Sequence, residues 1–294
     1  MPLLTEAVNQ FSARTSQAFF PNKTFVSAVP TGRADDELQD RAKRVGKHMS
    51  FQLSVIDRRY KKNKKKLFQS VALHGSFFTK TYYDPILGRF RVDNVRAVDL
   101  VVPYNVGPVD IEDLPRKTHR TYISKEKYDQ LVRKGWFLDG AKVSSQTEIS
   151  EVDQVVNDAE GISPSDDSGD DDNIAGLVEI LEQHRFITIP GEDEPVPVIV
   201  WVNKEADKVV RLSVRYEVDE KGNPTDDKKP VEYFTHYKFF ENPDGFYGLG
   251  LGHFVGDINA SINIMLRQSM DAATLSNEGN NSGFISDRIA PQGS

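Results

Sequence analysis

Hydrophobic positions recur every three or four residues over the first quarter of the chain. Leu4, Val8, Phe11 and Thr15 share one face of a helix over Leu3–Phe20, and Pro21 closes it. Pro30, Thr31 and Gly32 mark a turn. Beyond it Leu38, Ala42, Val45, Met49, Leu53, Ile56 and Tyr60 build one apolar stripe, which predicts a long helix across Ala34–Lys66 and a further helical piece over Leu67–Gly75. The period then drops to two. Ser76–Tyr83, Phe90–Val92 and Leu100–Pro103 read as strands, and the turn residues of Asp84–Gly88 predict a hairpin. Ser124 is placed to cap a helix over Lys125–Lys134, which ends before Gly135. A second block of strands follows at Gly176–Pro190, Val196–Val202, Val209–Glu217 and Val231–Phe240, separated by turns at 222–224 and 242–245. A last helical pattern covers Phe254–Leu275. The pattern is that of an α+β protein: a helical N-terminal part, a mixed β region and a long C-terminal helix.

Composition narrows what such a chain can be. At 294 residues, two lobes or one extended domain are expected. The absence of cysteine excludes a disulfide scaffold, a cysteine–zinc or iron–sulfur site and a thiol nucleophile. No apolar run approaches the ~18 residues of a membrane helix, so no membrane partner is expected. MPLLTEAVNQ lacks a basic segment followed by an apolar core, so no signal peptide is expected and synthesis in a cytoplasm fits. The net charge of −7 argues against a uniformly basic nucleic-acid binder. That charge is unevenly spread: residues 1–66 hold 14 Lys+Arg against 6 Asp+Glu, and residues 151–172 hold nine acids and no base. The acidic stretch 151–173, ending in AEGISPSDDSGDDDN, has the composition of a solvated surface loop.

Several motifs invite chemistry and fall short of it. Gly248, Gly250, Gly252 and Gly256 precede a helix, but their spacing is one residue too long for a dinucleotide fingerprint and no Gly-Lys-Ser/Thr follows. They read instead as a glycine hinge. Arg58, Arg59, Lys61, Lys62, Lys64, Lys65 and Lys66 form a basic run that reads first as the wet face of a helix and second as a surface contacting phosphates. Its sequence neighbours offer little aromatic interleaving beyond Tyr60, so stacking on single strands is not indicated. Glu182 and His184 share one face of a strand but lack a third metal ligand, and the histidines read as core or interface residues. Asp166–Asp172 lacks the spacing of a calcium loop. No catalytic set, metal or cofactor is therefore expected. Two rival classes are a soluble DNA-binding module using the basic run and a metal-dependent nuclease, which would need converging carboxylates that do not stand out.

The helix over 254–275 carries two rows. Phe254, Ile258, Ile262, Met265 and Leu266 make an apolar face, and Asn259, Asn263, Arg267 and Asp271 step by four along a polar one. Its 22 residues would run ~33 Å. The spacing predicts apolar packing against a neighbouring helix and a polar row exposed to water.

The string FYGLGLGHFVGDINASINIMLRQSMDAATLSN (246–277) resembles the stem-entering segment of tailed-phage portal proteins, the large portals of podovirus-like phages. PLLTEAVNQFSARTSQAFFP (2–21), RVGKHMSFQL (44–53), HGSFFTKTYYDP (74–85), VVPYNV (101–106), DLPRKTHR (113–120) and EILEQH (179–184) agree in the same order. The resemblance implies a structural, non-enzymatic subunit of a ring, usually of twelve copies, at one capsid vertex of the virion, assembled in the host cytoplasm. It implies double-stranded DNA passing through without sequence specificity, and capsid protein, terminase motor and tail adaptor as further partners. On the family's plan residues 1–253 correspond to an α/β wing, 254–276 to the first stem helix and 277–294 to the start of a clip, the rest of which is absent; a fragment or an unusually short portal is expected. Asn259, Asn263, Arg267 and Asp271 become the candidates for the channel wall, and the four glycines the hinge that aims the helix.

Overall fold

The computed structural model describes residues 3–21, 25–32, 35–84, 87–104, 106–138, 177–189, 194–219, 224 and 228–279. The acidic segment 151–173, with its Asp166–Asp172 cluster, and residues 280–294 of the clip-like region lie outside the described residues. The fold is α+β, with two antiparallel sheets and a long C-terminal helix. The chain divides into two compact units, one made of Met1–Ser76, Lys238–Glu241 and Tyr247–Ser294, the other of Phe77–Tyr237 and Asn242–Phe246.

The first unit is helical. Helix α1 (Leu3–Phe19) matches its sequence pattern, with Val8 and Ser12 buried. The long helix expected across Ala34–Lys66 is instead broken. Helix α2 (Asp36–Phe51) runs into a π turn (Gln52–Ile56), in which Asp57 N donates to Gln52 O at 2.9 Å, and α3 (Tyr60–His74) begins afresh. The break sits at Asp57, whose backbone leaves the helical region (φ −94°, ψ 79°) while its buried carboxylate accepts from Arg59 N. Aspartate competes with the helix in this way because its short side chain offers the backbone a local alternative partner. Leu67–Gly75 is the second half of α3, closed by Gly75 in the left-handed conformation (φ +88°). Tyr60, Lys64, Leu67, Phe68, Val71 and Ala72 form the buried stripe of α3. The stripe of α2, by contrast, leaves Val45 and Met49 exposed and buries Gly46 and Ser50.

The second unit holds the strands. Strands β1 (Ser76–Asp84) and β2 (Arg89–Val95) form the expected hairpin, in register from Phe78↔Val95 to Asp84↔Arg89. With β8 (Phe234–Lys238) they make a sheet of order β2-β1-β8. The larger sheet has order β3-β4-β5-β6-β7, from β3 (Leu100–Val101), β4 (Arg116–Ser124), β5 (Leu177–Ile187), β6 (Val196–Asn203) and β7 (Lys208–Val214). Helix α4 (Lys125–Arg133) starts as anticipated at Ser124, whose hydroxyl accepts from Lys127 N. Phe78, Val95, Leu100, Ile111, Leu114, Phe234 and Phe246 make one core cluster. Tyr128 and Phe137 close a second over Val178, Ile180 and Val210. Among the described residues no helix is long and apolar enough to cross a membrane.

Candidate functional site

The last helix, α5, spans Leu251–Gly279 and is longer at both ends than the sequence pattern indicates. Its 29 residues correspond to a length of ~43 Å. The segment that leads into it is fixed by backbone contact. Phe240 and Leu249 exchange hydrogen bonds of 3.1 and 2.9 Å, Phe239 N donates to Gly75 O at 2.9 Å, and Gly248 N donates to the Ser76 hydroxyl at 2.7 Å. Gly250 precedes the helix, and the His253 ring accepts from Gly250 N at 3.1 Å through Nδ1, the reciprocal half of a capping box with histidine in place of glutamate.

This geometry says why glycine stands at three of the four singled-out positions. A Cβ on Gly250 would lie 2.4 Å from Gly75 N and 2.5 Å from Leu73 O. One on Gly248 would lie 2.7 Å from Phe240 O, and one on Gly252 2.8 Å from Leu73 O. None of these glycines has a positive φ, so close approach of backbones explains them, not a turn. The run is a clamp against the end of α3. Gly256 meets nothing within 4 Å, and the structure gives no reason for it.

The faces of α5 differ from the expected arrangement in the first turns. Val255, Gly256, Asn259, Ile262 and Asn263 are half-buried, following the i, i+3, i+4 rhythm of the side that packs on α1 and α3. Phe254 and Ile258 are exposed, Ile258 at 56%. The side bearing Gly252 is the one that can approach Leu73 closely, and this carries Asn259 and Asn263 inward and Phe254 and Ile258 out. The Asn259 Oδ1 is buried without a hydrogen-bond partner. From Ile264 to Asn277 every position is exposed, including Met265 at 65%, Leu266, Met270 at 70% and Leu275. Arg267 and Asp271, at the far end of the polar row, are also exposed and make no ion pair among the described residues.

The basic run is split by the break at Asp57. Arg58 and Arg59 lie in the turn before α3, and Lys61, Lys62, Lys65 and Lys66 are exposed on it. Lys64 is buried on the inner stripe, its ammonium 5.7 Å from the Tyr60 ring centroid. Phe20, from the end of α1, comes to the same place, with Lys61 Nζ 5.8 Å from its ring centroid. The aromatic partner that sequence neighbours do not supply thus comes from a different helix.

Glu182 and His184 are together in the second unit. His184 Nε2 bonds Glu182 Oε1 at 2.8 Å, and Lys80 from β1 pairs with Glu182 Oε2. Burial pushes the Glu182 carboxyl up, but Lys80 and His184 outweigh it and hold the carboxyl well below the usual carboxylate range. Burial pushes the His184 imidazole down, and burial with Lys80 pushes His119 down to about 4. Both carboxylate oxygens of Glu182 are thus engaged, one by the His184 ring and the other by the Lys80 ammonium. Lys117 and Arg215 likewise share Glu232, and Lys117 Nζ also donates to Ile111 O at 2.7 Å. Among the described residues no group of three or more histidine, aspartate or glutamate side chains is arranged to hold a metal. Compared with known proteins, the sequence matches no family model, and no curated protein matches it.

Proposed function

We propose that the chain is a subunit of a portal ring, a channel at a capsid vertex through which double-stranded DNA enters and leaves. One observation carries the reading. The distal half of α5 presents Ile264, Met265, Leu266, Met270 and Leu275 to solvent, exposed among the described residues. A run of apolar side chains on a projecting helix needs a cover, because burying a side chain of this size is worth about 1.5–3 kcal/mol. A ring supplies that cover by repeating one heterologous contact around an axis, so each α5 lies beside the next. The portal-like motifs of 246–277, and the order of those before them, support the same assignment.

The role asks no catalysis of this chain and no cofactor. Exposed Arg267 and Asp271 give the channel wall opposite charges one turn apart, which leaves it near neutral and adds little immobilising affinity for phosphate. Asn259 and Asn263, half-buried in the single chain, have a smaller share in that wall than the spacing implied. Capsid protein, terminase motor and tail adaptor are the partners such a ring would dock. Light scattering with negative-stain imaging tests the reading: the purified chain should form rings with a central hole. Met265→Glu with Met270→Glu should abolish them without lowering the melting temperature, since both side chains are exposed in the single chain. A protein that stays monomeric at every concentration reached would overturn it.

A further inference from the structure

Arg58, Lys61, Lys62 and Lys65 line one open cleft of about 590 Å³, together with Ser16, Gln17 and Phe20 from the end of α1. Among the described residues no carboxylate lines it. All four cations are exposed, and none makes an ion pair among the described residues. The neighbouring acid, Asp57, is buried and turned to Arg59 N. Lys64 belongs to the core, so only part of the run reaches the cleft. Phe20 is the aromatic residue of the lining, and it packs on two further rings, 5.4 Å from Phe25 and 6.2 Å from Tyr60 between centroids.

We propose that this cleft binds the phosphate backbone of a nucleic acid strand, without sequence preference. Lys61 and Lys65 stand one helical turn apart, ~6 Å along the axis, with Lys62 beside them and Arg58 before them. A row of separate cations suits a polyanion with repeating charges better than one small anion, which an open cleft would not enclose. Phe20 adds an apolar face of the kind on which bases or sugars rest when a basic groove follows their backbone. An acidic peptide would meet the charges and leave that face unused. The site is one for holding nucleic acid. It lies on α1 and α3, apart from the near-neutral row of α5, and it stands whether or not the chain forms rings.

Fluorescence anisotropy with a labelled oligonucleotide, single-stranded in one arm and duplex in the other, tests it across 50–200 mM salt. Four phosphate contacts give a log–log salt slope of about −3 to −4. Lys61→Gln with Lys62→Gln and Lys65→Gln should weaken binding and reduce the slope by about 2–3. Arg44→Gln with Lys47→Gln and Lys66→Gln removes the same charge from α2 and from α3 outside the cleft, and should cost far less affinity. Gln17→Glu keeps every cation, adds a carboxylate to the lining and should also weaken binding, which covers the case in which the triple variant misfolds. Equal losses in the two triple variants, unchanged affinity in Gln17→Glu, or no binding at the lowest salt would overturn the proposal. Displacement of the oligonucleotide by polyglutamate at equal charge concentration would overturn it in favour of an acidic peptide. Light scattering on the same samples separates this result from ring formation.

Discussion

The two units treat positive charge in opposite ways. In the β unit, cations are drawn inside and each meets a carboxylate: Lys80 on Glu182, Lys117 and Arg215 on Glu232. In the helical unit Arg58, Lys61, Lys62 and Lys65 stand around a cleft with no acid among the described residues of its lining. Matched buried charges serve the fold, because taking away either partner strands the other in a low-dielectric interior. Unmatched charges in water do little for the fold and remain available to a ligand. The contrast assigns the ionic residues of the β unit to stability and those of the helical unit to binding, and each assignment has its own measurable consequence.

The largest effect should come from Glu232. It is the shared acceptor of two nearly inaccessible side chains, Lys117 at 1% and Arg215 at 2% exposure. Burial already lowers the Lys117 pKa against the opposing influence of Glu232. Glu232→Ala removes the counter-charge from both and should cost about 3–5 kcal/mol of unfolding free energy, read from the denaturant midpoint. A loss below about 1 kcal/mol, within the range of ordinary substitutions, would mean that the pairing is incidental.

Acid should act next, through groups whose signs agree. His119, pushed down to about 4, and His184, also lowered, bind fewer protons folded than unfolded. Their contribution is full above the ordinary histidine value of about 6.5 and is lost as pH falls from there towards the folded pKa. Glu182, held low, contributes above the ordinary carboxylate value and loses that contribution only as pH falls further. Between pH 7 and pH 5 His119 alone should cost about 2 kcal/mol, with His184 acting in the same direction, seen as a falling melting temperature. A flat melting temperature over that window would contradict the assignment. His119→Gln should remove its share of that loss and leave the carboxylate part, which Lys80 and His184 set, in place.

Legibility in the sequence followed the range of the interaction. Helices α1 and α4, the β1–β2 hairpin and strands β3, β5, β6 and β7 are set by local period, turn residues and a cap, and stand close to where the pattern places them, whereas β4 (Arg116–Ser124) has no strand in the sequence pattern. The break at Asp57 escaped because no glycine or proline marks it; one side chain bonding two residues ahead was enough. Periodicity also found two faces on α5 but gave the packing to the apolar row, whereas Asn259 and Asn263 turn inward and Phe254 and Ile258 outward. That was decided by Leu73 and Gly75, far away in the chain, which accept a glycine backbone and nothing larger. Glu182 and His184 were visible as a pair, but Lys80 comes from 102 positions away and turns a potential ligand pair into an ion-paired core. Phe20 was hidden from the basic run for the same reason, since α1 and α3 meet only in the folded unit.

The smallest effect should belong to the cleft, and its smallness is informative. Lys61, Lys62 and Lys65 are exposed, make no ion pair among the described residues and stand within one turn of each other. Replacing all three by glutamine removes mutual repulsion and no buried contact. The unfolding free energy should therefore change by less than about 0.5 kcal/mol, and in the stabilising direction if at all. Lys64 is the internal contrast. It lies on the same two turns of α3 but is buried over the Tyr60 ring, so Lys64→Ala should cost about 1 kcal/mol through lost packing of its stem. If the triple variant proves as costly as Lys64→Ala, the three exposed lysines are part of the fold, and the division between stabilising charge in one unit and binding charge in the other falls with them. If it is neutral and oligonucleotide binding is nonetheless lost, the cleft has kept its cations for a partner and not for itself.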